Sequence, residues 1–235
     1  MEISIDTSTR YASIVLSDNG TIQAELSWYS QQNHTVELAP SIAEMMWGNK
    51  SKLDDLKSVF VAKGPGGFSA LRVGMSFAKG LAESLGAPLI GVSTLHAEAF
   101  PYLTHDSPVC PMVMVGRNQF AYCLFELMEG SWDIVVPESI LSVEEIFTSM
   151  PEGTVFCGEG VLNITDQGFG PEQFQDKTVQ PWNSNVRASS VLAIGWDEYL
   201  SGSGSQIHPL EPTYLRQPTI GRPSLIIPPG GDSIA

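Results

Sequence analysis

A glycine-rich turn that runs into an amphipathic helix is the part of this sequence best suited to chemistry. The stretch reads AKGPGGFSALRVG, and backbone N–H groups at the start of a helix can hold a phosphate. The spacing fits neither GxxxxGKS/T nor GxGxxG, because Ser69 stands where both patterns require a later glycine, and Pro65 has no N–H to offer. Packing is therefore the favoured role of Gly64, Gly66 and Gly67, with phosphate binding as the alternative.

A second candidate for chemistry is Asp6, which precedes the hydroxyl-rich turn Thr7-Ser8-Thr9. A carboxylate at the end of a strand can hold Mg²⁺ through water while the turn contacts a phosphate. The same carboxylate can instead accept hydrogen bonds from its own turn, and this plainer interpretation is narrowly favoured. Asp6, Thr7 and the three glycines are therefore grouped as a candidate phosphate-binding region that lacks the complete pattern of a nucleotide site.

Other common catalytic patterns do not occur in the sequence. The four histidines show no HxxxH spacing, no serine stands in a GxSxG elbow, and the three cysteines lie in apolar surroundings as expected of reduced thiols. We therefore predict no metal ligand and no catalytic residue in this chain. We predict that His34 lies at the entry of a helix. Surface or turn positions are predicted for His96, His105 and His208.

The composition limits the classes of function. The chain has 235 residues, 43% of them hydrophobic, with 12 basic and 26 acidic residues and a net charge of −14. Proteins that hold nucleic acid by themselves offer clustered Lys and Arg to the phosphates, so any work on a nucleic acid would need a binding surface from a partner. The opening residues MEISIDTS lack a basic segment, and no apolar run reaches membrane-spanning length. We expect a cytoplasmic protein with no membrane contact.

The elements that must position these residues follow from periodicity. Alternating apolar residues predict strands over the opening residues, 12–17 and 21–28, with a tight Asn-Gly hairpin turn between the latter two. Buried strands are predicted at 59–62 and 89–92. Helical spacing predicts one helix over 36–46, with Pro40 inside it, and a second that follows the glycine turn with Ser69 as its N-cap.

The remainder repeats this pattern more weakly. Strands are predicted at 112–115, 120–127 and 154–157, a helix at 186–200, and irregular structure over 163–185. The economical architecture is α/β, with two related halves, each a mixed sheet flanked by helices. The predicted division is 1–100 for the first half, 101–216 for the second, and 217–235 for a disordered tail. Ser201 to Ser205 is predicted to be a flexible linker.

Several motifs in order resemble one family. ISIDTST, NHTVELAPSI, GPGGFSALRVGMSFAKGLA, IGVSTL and LEPTYLR are similar to segments of the TsaB (YeaZ) family, the dimerisation subunit of the bacterial tRNA threonylcarbamoyladenosine machinery. The likeness is good over residues 1–98 and patchy from there to Arg216. It implies two RNase H-like halves of the actin-like ATPase superfamily, which agrees with the predicted element order.

The resemblance also implies which functions are missing. The catalytic relative TsaD carries Asn-His-Leu/Met-Glu-Gly-His after the strand that corresponds to residues 89–92, and its two histidine positions here hold Thr94 and Glu98. Many TsaB proteins have Asp-Ala-Arg where this chain has Met114-Val115-Gly116-Arg117. The resemblance therefore implies no metal and no transferase or peptidase activity here. ATP, Mg²⁺ and metal would belong to partner subunits rather than to this chain alone.

A partner surface is what the resemblance implies instead. In the family, the two helices of the first half pair with the same helices of a TsaD-like transferase or of a second TsaB copy, while a TsaE-like ATPase is a third component. Transfer RNA would bind only through the complex. The rival hypothesis is an autonomous ATP-dependent enzyme of the superfamily, such as a small-molecule kinase. The residues predicted to contact the partner are Met45, Met46, Arg72, Gly74, Met75 and Ala78, although each could simply pack on its own sheet.

Overall fold

Two five-stranded mixed sheets form the framework of the chain, in a computed structural model that describes residues 1–104, 106–164, 178–202 and 210–215. The predicted tail at 217–235 lies outside these ranges, as do His105, His208 and most of the predicted linker. Within the described ranges, no helix has both the length and the apolar character needed to cross a membrane.

The first sheet contains the predicted meander and the two buried strands. Its strands, in the order β3-β2-β1-β4-β5, are β1 (Glu2–Asp6), β2 (Tyr11–Asp18), β3 (Thr21–Tyr29), β4 (Ser58–Gly64) and β5 (Leu89–Ser93). The first three are antiparallel neighbours, and β1, β4 and β5 run parallel. The predicted hairpin turn is confirmed, since Asn19 and Gly20 have φ angles of 50° and 73°.

Two helices cover one face of this sheet. They are α1 (His34–Gly48), which runs through Pro40, and α2 (Phe68–Leu85). Their buried stripes, which include Leu38 and Ile42, pack on Ile3 and Ile5. The C-cap of α2 is Gly86, whose φ angle of 62° is a left-handed conformation that favours glycine. The N-cap of α2 is Gly67 and not the predicted Ser69, so the helix begins two residues earlier than the sequence predicted.

The second sheet repeats the topology of the first. Its strands, in the order β10-β9-β6-β7-β8, are β6 (Val109–Gly116), β7 (Gln119–Met128), β8 (Ser131–Leu141), β9 (Val155–Cys157) and β10 (Thr178–Val179). The first three again form an antiparallel meander, and β6, β9 and β10 run parallel. The predicted fold class of two related α/β halves is confirmed.

The described residues contain three further α-helices, which are α3 (Thr94–Ala99), α4 (Val143–Ser149) and α5 (Ser184–Leu200). Helices α3 and α4 pack on opposite faces of the second sheet, whereas α5 packs on the first sheet through Ala188 and Leu192. The predicted second half of 101–216 therefore needs correction, because its last helix covers the sheet of the first half. Helices α3 and α5 also contact each other between the two sheets.

Candidate functional site

The glycine turn is filled by the chain's own backbone. A Cβ atom on Gly66 would stand 2.1 Å from the carbonyl oxygen of Ser8, and one on Gly64 would stand 2.8 Å from the carbonyl oxygen of Thr213. Gly64 also has a φ angle of 102°, which favours glycine. The N–H of Gly67 donates to the carbonyl oxygen of Ser8 at 2.7 Å. These glycines therefore let two other segments approach the turn, in agreement with the packing interpretation.

Thr7 is inserted beneath the first turns of α2. Its Oγ1 donates to the carbonyl oxygen of Ala70 at 2.7 Å and accepts from the N–H of Gly74 at 3.1 Å. A Cβ atom on Gly74 would lie 2.3 Å from that Oγ1. The predicted role of Gly74 at a partner interface is therefore corrected: its missing side chain makes room for Thr7 of the same chain.

Asp6 is engaged inside the protein. Its carboxylate belongs to a side chain that is 1% exposed, and Oδ1 accepts from the N–H of Ser8 at 2.7 Å. Oδ2 accepts from Nε of Arg187 at 2.5 Å. The plainer interpretation of Asp6, as an acceptor for its own turn, matches this geometry. The arginine contact joins residues 181 positions apart, and no local pattern pairs such distant residues.

Arg187 is itself fully buried and lies at the centre of a polar cluster. The side chain is 1% exposed, and each of its N–H groups has an acceptor. The acceptors are Asp6 Oδ2 for Nε, Thr9 Oγ1 (3.0 Å) and the Tyr11 carbonyl oxygen (2.7 Å) for Nη2, and Glu98 Oε1 and Glu159 Oε2 (both 2.9 Å) for Nη1. Loss of one partner of a buried ion pair costs about 3–5 kcal/mol, so this cluster is a strong constraint on the fold.

Acidic groups outnumber basic groups in the cluster, because three carboxylates surround one guanidinium. Burial by itself lowers the pKa of Arg187, but the surrounding carboxylates outweigh it and raise that pKa above its ordinary value. Burial raises the pKa of Glu98 against the opposing effect of Arg187. The indole Nε1 of Trp182 donates to Glu98 Oε2 at 2.9 Å, and the ring lies 5.5 Å from the guanidinium carbon. Arg187 is therefore charged at any physiological pH.

Sequence reasoning did not single out Arg187, although a signal was present. Arg187 precedes Val191 by four residues and Ile194 by seven, so it shares the face of α5 that those apolar residues bury. A charged residue on a buried helix face predicts an internal ion pair. The partner carboxylates could not be assigned, because they come from distant parts of the chain.

A different surface of the first half is unusually apolar and exposed. Trp47 and Val36 on α1 are 83% and 70% exposed. Between them lie the exposed residues Ala39, Pro40 and Ala43, which continue the same helix face at steps of three and four. We define the outer face as these five residues together with Val73, Phe77 and Gly80 of the neighbouring α2, of which Val73 and Phe77 are half-buried and Gly80 is exposed. Exposed apolar patches of this kind mark binding sites.

The residues predicted to contact a partner lie mostly beneath the outer face. Met75 and Ala78 are 2% and 0% exposed, and they pack with Met45 and Met46 in the core between the helices and the first sheet. These four expectations are corrected, because side chains that fill the core of the isolated chain have no surface left for a partner. Arg72 is exposed and lies over the ring of Phe68 at 4.6 Å.

Comparisons with known proteins identify the family. The model of the family TsaD, tRNA N6-adenosine threonylcarbamoyltransferase, matches residues 28–174, which is more than half of the chain. The protein TsaB of tRNA threonylcarbamoyladenosine biosynthesis from Bacillus subtilis (strain 168) is 27% identical over 220 residues, 91% of this chain and 93% of that protein. The chain belongs to the TsaD family and is similar over nearly its full length to TsaB proteins.

Two further relatives agree with this assignment. The structure of YeaZ from Pseudomonas aeruginosa has a TM-score of 0.72 at 19% identity and covers 91% of this chain and 99% of its own, so the fold is shared. A tRNA N6-adenosine threonylcarbamoyltransferase from Solidesulfovibrio magneticus is 32% identical over 166 residues, 65% of this chain and 41% of that enzyme. The TsaB-type chain therefore resembles only part of the longer enzyme.

The segment that resembles the C-terminal signature of TsaB proteins pins the glycine turn. The N–H of Thr213 donates to the carbonyl oxygen of Lys63 at 2.7 Å, and the ring of Tyr214 lies 4.7 Å from that of Phe68 at the start of α2. Leu210 fills the space left by Gly91, while Arg216 lies outside the described residues. The signature residues therefore have a structural reason to occur together with the glycine turn.

Thr94 and Glu98, which the resemblance matched to the histidine positions of TsaD, do not fit a metal site. Glu98 is occupied by Arg187 and Trp182, and Thr94, one turn earlier on α3, is buried with an Oγ1 that has no hydrogen-bond partner. A lone hydroxyl and a carboxylate already bonded to a guanidinium are a poor ligand set. No group of three or more potential metal ligands occurs within the described part of the chain.

Proposed function

We propose that this chain is a non-catalytic subunit of a complex that makes N6-threonylcarbamoyladenosine in tRNA, and that it activates a TsaD-like transferase by binding it. The observation that carries the proposal is the outer face of α1 and α2, an exposed apolar surface in a member of the TsaD family that is similar to TsaB proteins. The family assignment supplies the process, and the surface supplies the role of a binding subunit.

The shape of α1 supports an interface. Its inner stripe of Leu38, Ile42 and Met46 packs on the first sheet, and its outer stripe from Val36 to Trp47 is apolar as well. A helix that is apolar on both sides is stable in water only when both sides are covered. Tryptophan is also the residue most enriched among those that dominate binding energy. The outer stripe therefore fits a helical partner.

The small residues of α2 support close approach of that partner. Gly80 is exposed, and a Cβ atom placed on it would meet no other atom within 4 Å. Ser76 is exposed on the same helix, one turn before Gly80. We propose that the equivalent helices of the TsaD-like transferase pack here, and that a second copy of this chain uses the same face when the transferase is absent.

The geometry of Asp6 supports the proposal that the chain alone holds neither Mg²⁺ nor ATP. Both carboxylate oxygens are hydrogen-bonded within the protein, and the arginine that holds one of them is itself buried. ATP, Mg²⁺ and any metal are assigned to the transferase and to a TsaE-like ATPase. The net charge of −14 supports tRNA binding by the complex rather than by this subunit. We propose that the process takes place in the cytoplasm, because its substrate is tRNA.

The experiment that tests the function is depletion of the protein in its own organism. Nucleosides from total tRNA are then quantified by liquid chromatography and mass spectrometry. We expect threonylcarbamoyladenosine to fall as the protein is depleted and to return when the wild-type chain is supplied. An unchanged threonylcarbamoyladenosine content after depletion would refute the proposal, and tight binding of Mg-ATP by the isolated chain would favour the kinase hypothesis.

A further inference from the structure

A single arginine ties the two halves of the chain together between their sheets. Arg187 lies on α5, which packs on the first sheet, and its Nε and Nη2 groups donate to acceptors on β1, on β2 and on the turn between them. Its Nη1 group donates to Glu159, which follows β9 of the second sheet, and to Glu98 on α3. Helix α3 packs against both sheets, so Glu159 is the acceptor that belongs to the second half, and Glu98 lies where the two sheets meet.

We propose that Arg187 is a built-in cation that holds the two halves closed without any ligand. Two-lobed proteins commonly close around a bound ligand and open when it leaves. Here the bridging cation is part of the chain, and its buried guanidinium has an acceptor for every N–H. The halves therefore keep one relative orientation whether or not a nucleotide is present in solution.

The same geometry argues against binding of a metal-bound nucleotide between the two halves. Asp6 is the carboxylate that such a metal would need, and it already accepts from Arg187 and from the N–H of Ser8. A metal ion would have to displace the guanidinium, which would then be buried without its counter-ion. We call Arg187 and its three carboxylate acceptors, Asp6, Glu98 and Glu159, the clasp. In our proposal the clasp holds the halves closed in place of a bound ligand.

Further residues of the second half form hydrogen bonds to the Glu98 carboxylate of the cluster. Glu98 also accepts from the indole N–H of Trp182 and from the backbone N–H of Glu159, so the second half holds the carboxylate in place from two directions. The ring of Trp182 packs edge-on against Tyr11 of β2 at 4.6 Å. The clasp is therefore a network that spans both sheets, and loss of its central charge would loosen the contact between them.

Distance measurements between spin labels on the two halves test the proposal with the full chain. Labels are attached to cysteines introduced at exposed Glu83 of α2 and exposed Ser131 of β8, while the buried native cysteines stay unlabelled. Double electron–electron resonance of the otherwise wild-type protein is expected to give one narrow distance distribution that Mg-ATP leaves unchanged. A shift of that distribution on addition of Mg-ATP would overturn the proposal.

The decisive variant is Arg187→Met, which keeps an unbranched, flexible side chain and removes the guanidinium with its charge. We expect a broader distribution with a longer mean distance in a protein whose far-ultraviolet circular dichroism remains native. A folded Arg187→Met protein with the wild-type distribution would overturn the proposal, because the halves would then be held without the clasp.

A gentler pair of variants decides the matter if Arg187→Met does not fold. Glu159 lines an open cleft of about 560 Å³, so the side chain of Glu159→Lys can turn towards solvent while its positive charge opposes Arg187. The matched control is Glu152→Lys, an exposed glutamate in the turn before β9. We expect Glu159→Lys to broaden the distance distribution and Glu152→Lys to leave it unchanged. Identical distributions for the two variants would overturn the proposal.

Discussion

Truncation of Trp47 tests whether the outer face binds the transferase. The side chain is 83% exposed, and a tryptophan buries about 150–250 Å² when it is covered by a partner. At about 25 cal/mol per Å² this area corresponds to roughly 4–6 kcal/mol, of which alanine substitution at an interface removes about 2–4 kcal/mol. We therefore expect Trp47→Ala to weaken binding of the TsaD-like transferase by about 30- to 1,000-fold.

The stability of the isolated chain should hardly change in this variant. An exposed side chain outside the core contributes within about 0.5 kcal/mol to the free energy of unfolding. The matched control is Ile134→Ala, which truncates an apolar residue that is 50% exposed on β8 of the second sheet. Isothermal titration calorimetry against the purified transferase of the same organism measures both variants. Wild-type affinity of Trp47→Ala, or an equal loss in Ile134→Ala, would refute the assignment of the outer face.

Three further predictions concern the interior. Met75→Ala should lower the free energy of unfolding by about 2–5 kcal/mol in urea titrations, because Met75 is 2% exposed; a loss below 1 kcal/mol would contradict its place in the core. Gly74→Ala should destabilise by about 1–3 kcal/mol, since its Cβ would lie 2.3 Å from Thr7 Oγ1, and Thr7→Ala should relieve part of that cost; strict additivity of the two changes would argue against the contact. Burial raises the pKa of Glu98 in the folded protein, so its contribution to stability is complete below pH 4.5 and is lost as the pH rises through the folded-state pKa. The free energy of unfolding of the wild type, relative to that of Glu98→Gln, should therefore fall over that pH range. A rise would contradict the assignment.

The first half of the fold could be predicted from the sequence because its signals are local. Alternation marks β1, the Asn-Gly turn fixes the hairpin, and the glycine turn separates β4 from α2. In the second half β8 and α4 were missed, although Ser142 and Glu145 form a capping box that announces the start of α4. The packing of α5 on the first sheet was missed as well, because periodicity shows that a face is buried but not what buries it.

The interface could be predicted only as far as the two helices. Helix α1 has apolar residues on both sides, so the spacing alone could not tell the stripe that faces the sheet from the stripe that faces outwards. Met45 and Met46 were expected at the surface and lie in the core, whereas Trp47, the next residue, is the exposed one. The Arg187 cluster depends on contacts between distant segments, which no local pattern records.

The central claim is that this chain activates a transferase and performs no catalysis itself. The most direct measurement is formation of threonylcarbamoyladenosine in vitro from tRNA and threonylcarbamoyl-adenylate, with the purified TsaD-like transferase and TsaE-like ATPase and with or without this chain. The account predicts product only when the transferase and this chain are both present, and a reduced rate with Trp47→Ala at subunit concentrations that saturate the wild-type complex. Product at the full rate without this chain, or product from this chain without the transferase, would contradict it.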